Sequence, residues 1–304
     1  MKFDFASRSR AGILLVALAL VGGTGCITSA VMSQAQHRKV MLELEDRRQQ
    51  RIKALEPLAD AGNTDAQVFL AVNLMASYTP EKSYLPRALR LLSDAAEHQN
   101  ATAQALLGDM IGAGQSKFGE RTALPREMRD PARALFLLQQ AATKVCQITL
   151  YSGEYNNVYF VLPALRVSEL LMQAHQPTQA RLWEARRTAH CTGVPSNEKL
   201  YGTEQKATPQ QRIDSLAWHL LDARDQPRMR DLKEHMTPDD IASAERQAAE
   251  LRTLVAASER QFPAPPFSQC RGSALANEDP VRLRLNCAAQ AESRKPPPTR
   301  QEAR

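Results

Sequence analysis

Two stretches, "AGNTDAQVFLAVNL" (61–74) and "HQNATAQALLGDMI" (98–111), superpose at a shift of 37 residues, and that period decides the fold. The shift aligns Ala66-Gln67 with Ala103-Gln104 and Leu70 with Leu107. A second pattern, "RALRLLSDAA" (87–96), returns as "RALFLLQQAA" (133–142) at a shift of 46, and Ala88, Ala134 and Ala180 share one register. The third copy, "QARLWEARRT" (179–188), is degenerate. The longer shift places an insertion in the second unit, at Gly112–Met128, where Gly112, Gly114, Gly119 and Pro125 read as loop. Each unit holds two amphipathic helices: Ala66, Leu70, Asn73 and Leu74 lie on one face, and Ala88, Leu91, Leu92 and Ala95 recur at the same kind of spacing. A pair of such helices cannot bury its apolar face alone, so pairs must stack. The period predicts an all-α fold, an α-solenoid of antiparallel helix pairs.

These residues carry a resemblance. The order small-Asn-x-x-Ala-Gln-x-x-Leu-Gly in the first helix and Ala-Leu-x-Leu-x-x-Ala-Ala in the second resembles the Sel-one-like repeat, a relative of the tetratricopeptide repeat. Ala71 stands where the pattern has the glycine that Gly108 supplies, and Leu91 or Phe136 replaces the usual aromatic of the second helix. Further on, residues 214–254 resemble the closing repeat of such bacterial proteins, with Ala217-Trp218 in the Ala-Leu place. Thr237 there reads as an N-cap, Pro238 as the first helical residue and Asp240 as a box-like acid. The resemblance covers roughly residues 57–254 and implies scaffolding of protein complexes rather than chemistry.

The N-terminus has the three parts of a secretory signal: basic residues Lys2, Arg8 and Arg10, an apolar run from Ala11 to Val21, then small residues. Within "LVALALVGGTGC" (15–26), Cys26 follows Thr24-Gly25 and resembles the lipobox of bacterial lipoproteins, although Gly23 stands where that box prefers a leucine-like residue. Ordinary cleavage at Thr28-Ser29-Ala30 is one alternative. Another is an uncleaved span, because Ala11 to Met32 gives 22 uncharged residues. Lipidation at Cys26 is the favoured reading. All three place the body outside the cytoplasm, on the periplasmic side of a bacterial membrane.

Apart from Cys26 there are four cysteines, Cys146, Cys191, Cys270 and Cys287, an even number that suits an oxidising compartment. Four cysteines allow three pairings, and buried free thiols are the alternative. Cys146 and Cys191 each follow the second helix of a unit, so they should occupy equivalent corners of neighbouring units. A bond between them would clamp adjacent repeats. Cys270–Cys287 would then close a C-terminal loop, worth about 3 kcal/mol by loop entropy.

Contact surfaces are expected in two places. "CQITLYSGEYNNVYFVLP" (146–163) interrupts the Ala/Leu pattern and offers Tyr151 and Tyr155 for a partner, with Tyr159 and Phe160 read as core filling at a repeat junction. The insertion, with Lys117, Arg121 and Arg126, is the second. No catalytic set is expected: the six histidines are scattered, His190 beside Cys191 points about 100° away from it on a helix, and Asp239-Asp240 suit a helix start. No metal or cofactor is expected. Nucleic acid is not expected as a partner, because much of the net charge of +6 resides in the leader and in a tail carrying Arg294, Lys295, Arg300 and Arg304.

The organisation expected is therefore a signal or anchor over 1–25, a charged helical spacer over 26–56 and a helical-repeat solenoid over 57–261. An irregular Cys-containing loop and a Pro/Arg-rich tail, expected to be disordered, follow over 262–304. The spacer reads as a solvated arm in preference to a partner-binding coil. The function expected is a membrane-tethered, non-enzymatic adaptor for a protein partner of the cell envelope; the alternative is an envelope enzyme or enzyme subunit acting on glycan or peptide. Intact mass of the detergent-extracted protein tests the first step. A chain beginning at Cys26 plus acyl mass is expected, and an uncut Met1 would refute it.

Overall fold

The computed structural model describes residues 34, 36–76, 84–114, 124–152, 157–191, 207–223, 226–273 and 286–289. Cys26 and the 11–32 segment lie outside them, and no helix among the described residues is long and apolar enough to cross a membrane. The chain divides into two compact units at Gln50/Arg51. In the first, residues 36–50 are helical, with Gln49 donating to Glu45 at 2.9 Å one turn back.

The second unit opens with α1 (51–60) and continues through α2 (Thr64–Met75), α3 (Leu85–Glu97), α4 (Ala101–Ala113) and α5 (Pro131–Ala142). A hairpin, β1 (Val145–Ser152) and β2 (Asn157–Val161), precedes α6 (Pro163–Gln173) and α7 (Pro177–His190). Then come α8 (Pro209–Asp222), α9 (Gln226–Glu234), α10 (Pro238–Ser258), β3 (Phe267–Ser273) and β4 (Asn286–Ala289).

Inner and outer helices alternate, and their sequences say which is which. Every residue of α2 from Ala66 to Met75 is buried, and every residue of α4 from Thr102 to Ile111. Both are buried all round and mostly apolar, the mark of a helix enclosed by others. Their partners are one-sided. α3 buries Ala88, Leu92, Ala95 and Ala96, and α5 buries Ala134, Leu137, Leu138, Ala141 and Ala142. The aligned alanines Ala88, Ala134, Ala180 and Ala217 are all at most 2% exposed, so the repeat register is a packing register. Gly108 is a point of close approach: a Cβ there would lie 2.8 Å from Leu138 Cγ and 3.1 Å from the Ala134 carbonyl.

The repeated Asn and Gln have repeated jobs. Asn63 accepts from the Ala66 N–H, and Asn100 from those of Thr102 and Ala103, each capping an inner helix. Gln67 reaches back to the Ala59 carbonyl at 3.4 Å, as Gln104 does to that of Ala96 at 3.1 Å. Before each cap the chain turns through a left-handed residue, Gly62 (φ 83°) or Gln99 (φ 64°). The amide three places past the last helical residue then returns to a carbonyl five residues back, Asn63 to Leu58 and Asn100 to Ala95. His175 (φ 56°) and Gln176 repeat this turn between α6 and α7.

Three expectations are revised. Ile52, Leu55 and Ala59 belong to the repeat core, so the arm expected as a spacer to residue 56 already packs from Ile52 onward. Residues 267–273 and 286–289, expected to be irregular, are strands in a four-stranded sheet of order β2-β1-β3-β4. β3 runs parallel to β1, with Ile148 opposite Cys270, and β4 runs antiparallel to β3. "FSQCRGS" has too little apolar alternation to announce a strand; its hydrogen-bonding partner, more than a hundred residues earlier, makes it one. Third, Phe160 does not fill the core beside Tyr159. Strand alternation separates them: Tyr159 is 8% exposed and Phe160 53%. The Thr237–Asp240 capping box is present as expected, and Thr208–Gln211 forms another.

Asn100 also donates across the stack to Asp65 at 2.8 Å and Thr64 at 3.2 Å. Asn63→Ala should therefore lower unfolding stability by about 1 kcal/mol, a cap alone. Asn100→Ala should cost about 2 kcal/mol, because the cross-repeat bonds go as well. Equal denaturant midpoints for the two variants would show that Asn100 does not tie the repeats.

Candidate interaction site

The hairpin interrupting the stack is seated by one buried carboxylate. Asp109, near the end of inner helix α4, is 5% exposed and stands where the first repeat has Val72. Tyr159 on β2 donates its phenol to Asp109 Oδ2 at 2.6 Å, and Arg166 on α6 donates Nε to Oδ1 at 2.5 Å. Arg166 also pairs with Glu169 one turn on. Burial opposes the Arg166 charge, but Asp109 and Glu169 outweigh it and raise the guanidinium's proton affinity. Burial first, then the charge and hydrogen bond of Asp109, push the Tyr159 phenol well above its ordinary value of 10.0. The cluster joins α4, β2 and α6 with both carboxylates on one cation. This is the chemistry of a brace.

The far edge of the hairpin is held differently. Cys146 on β1 is bonded to Cys191 at the end of α7, with Cα atoms 5.2 Å apart. Cys270 on β3 is also disulfide-bonded, and Cys287 lies directly opposite it in the β3/β4 register. The chain leaving α10 is turned toward β3 by Arg186 of α7. Its guanidinium lies 5.3 Å from the Trp183 ring centroid and 5.7 Å from that of Phe262, donating to Ser258 Oγ at 2.7 Å and to the Pro263 carbonyl at 3.0 Å. Burial lowers its pKa to about 10, with Glu259 opposing, so the cation persists at neutral pH. Lys144, just before β1, donates to the Gln99 carbonyl, Gln99 Oε1 and Gln104 Oε1 at 2.8–3.0 Å. It ties the hairpin's root to the α3/α4 turn.

One face of the sheet, with Ile148, Leu150, Tyr159, Val161 and Cys270, is part of the helical core. Phe160 and Phe267, 53% and 37% exposed, lie on the strands flanking β1, opposite Thr149 and Val145 in the register, and those two residues of β1 are themselves buried. Gln147 lies between their register partners Thr149 and Val145, donating to Thr149 Oγ1 at 3.0 Å.

Of the residues expected to meet a partner, Arg126 is exposed in a 3-10 turn at Arg126–Met128. Tyr151 is in β1, opposite Val158 and Ser273 in the register. Tyr155 and Arg121 lie outside the described residues, as does Cys26. Sequence reading missed Asp109, Arg166, Arg186 and Phe267. The signal for Asp109 was available, a charge replacing an apolar residue in an otherwise matched repeat. His190 Nε2 lies 3.4 Å from Glu259, and no group of three or more metal-ligating side chains occurs among the described residues.

Fold and site together define a helical-repeat protein with a small sheet grafted onto its stack. No family model matches the chain and no curated protein matches it. Among solved structures it is similar to a protective antigen present in uropathogenic Escherichia coli strains displaying an SLR fold, with a TM-score of 0.35 and 16% identity. The alignment covers 69% of this chain and 43% of that one, so this chain spans less than half of that protein's length.

Because the folded Tyr159 pKa is raised above its unfolded value, its contribution is complete below about pH 10 and is lost as pH climbs through the folded value. Tyr159→Phe should cost about 1–3 kcal/mol at neutral pH by leaving Asp109 short of a donor. The gap between wild type and variant in urea midpoints should shrink above pH 10. A gap that stays constant would show that the phenol does not brace the hairpin.

Proposed function

We propose that this chain is a non-enzymatic, helical-repeat adaptor of a bacterial envelope, anchored by its N-terminal segment and holding a protein partner. The observation that carries the reading is the braced sheet, whose flanking strands expose Phe160 and Phe267 while β1 between them is buried against the repeats. Exposed aromatics on a rigid support suit protein recognition, since little order must be gained on binding. The bond between Cys146 and Cys191 supports an oxidising compartment. The enzyme reading would require two free carboxylates within about 10 Å of each other in a pocket. Asp109 and Glu169 both pair with Arg166, and Asp109 also accepts from Tyr159, so neither carboxylate is free.

In-cell crosslinking and pull-down of a C-terminally tagged copy tests the proposal. One dominant envelope partner is expected, retained when residues 290–304 are removed. Capture should fall at least tenfold in a Phe160→Glu/Phe267→Glu variant that keeps wild-type helicity. Absence of any specific partner across growth conditions would refute the adaptor.

A further inference from the structure

We propose that the cleft between α8, α9 and α10 is a binding site for an acidic, amphipathic peptide segment. This takes up the reading of the chain as an interaction protein and assigns a second contact, away from the sheet, with its own ligand chemistry. The cleft arises because α8 ends in a left-handed Ala223 (φ 56°) and the nine-residue α9 is too short to cover the twenty-one-residue α10. It has a volume of about 580 Å³, the scale of pockets that take a few side chains. Leu220, Ala223 and Met229 give it an apolar lining, and Arg230, Lys233 and Arg252 surround this against one carboxylate, Glu234.

The three cations differ in how they are held. Arg252 donates to the Leu220 carbonyl at 2.7 Å, which fixes its guanidinium and offsets the negative end of α8 that would otherwise repel an anion. Lys233 lies 3.7 Å from Glu245, a half-exposed pair that an incoming carboxylate can displace. Arg230 is exposed, with no carboxylate at ion-pair distance among the described residues. A ligand meeting all of these groups must carry carboxylates and an apolar side chain together. The lining offers no aromatic ring on which a nucleic-acid base would stack. An acidic peptide with one buried aliphatic or Met side chain fits both halves of the site.

A displayed library of random dodecapeptides, selected on the full chain and counter-selected on an Arg230→Glu/Arg252→Glu variant, tests the assignment. Since Arg252 also caps α8, an Arg230→Glu/Lys233→Glu variant is run beside it. Enriched sequences should place Asp or Glu around a Leu, Ile or Met. The best peptide should bind each variant at least tenfold more weakly and lose affinity as salt rises from about 0.05 M to about 0.5 M. The proposal is overturned by finding no sequence enriched over both variants, by enriched sequences without carboxylates, or by arginine-dependent binding to phosphatidylglycerol vesicles instead. In-cell capture that survives these charge reversals would remove the cleft from the partner contact and leave the adaptor standing. Loss of the partner in the sheet variant alone bears only on the sheet.

Discussion

A carboxylate buried inside an inner helix constrains what can be built around it. Asp109 replaces an apolar residue of the first repeat in a helix enclosed on every side. Left alone there, the charge would be prohibitive, and removing one partner of such a pair typically costs about 3–5 kcal/mol. Tyr159 meets it from β2, an element the first repeat does not possess, and Arg166 from α6, the next inner helix. The carboxylate and the hairpin are thus one feature. Without the hairpin Asp109 would lose the Tyr159 phenol and keep only Arg166, and without Asp109 the phenol would lose a 2.6 Å hydrogen bond.

The hairpin in turn organises the far end of the chain. β1 is an inner strand of the sheet, and the backbone groups on its second edge need a partner once β2 has taken the first. β3 supplies them in parallel, which requires a long crossover, here the helices from α6 to α10. Arg186, sandwiched by Trp183 and Phe262, aims the chain for that return, and Cys146–Cys191 ties β1 to the end of α7. Rings hold the chain as it leaves α10, a disulfide holds β1 to α7, and a ladder of backbone bonds holds β3 to β1. The repeats are therefore joined through a non-local closure as well as neighbour to neighbour.

Rigidity of this kind suits a protein that presents surfaces. Phe160 and Phe267 are exposed on the strands flanking β1, and the cleft at α8–α10 is basic with an apolar lining, so the two surfaces differ in chemistry. The charge distribution fits this division. The formal +6 of the chain owes much to its ends, yet a local excess of cations lines the cleft. Net charge alone pointed away from nucleic acid and could not have pointed to the cleft, because placement of a few side chains decides the local field.

The repeat was legible because its physics is local. A 37-residue shift carries the cap (Asn63, Asn100), the reach-back amide (Gln67, Gln104) and the small packing residues together, so sequence by itself determined helix pairs and their register. Gly112, read as the start of a loop, is instead helical, because α4 runs to Ala113 before Gly114 caps it. Sequence also placed Cys146 and Cys191 at neighbouring corners. The sheet was not legible. "VCQITLYS" and "FSQCRGS" become strands by pairing with each other, and hydrogen bonds between distant segments leave no period in the chain. Tyr159 and Phe160 look alike in sequence and part company only when alternation sends one to Asp109 and the other to solvent. The same holds for Arg230, Lys233 and Arg252, whose convergence depends on how three helices cross. Sequence determined what each segment can bury by itself. Tertiary structure decided which polar groups find one another, because that depends on distances in space that no local pattern encodes.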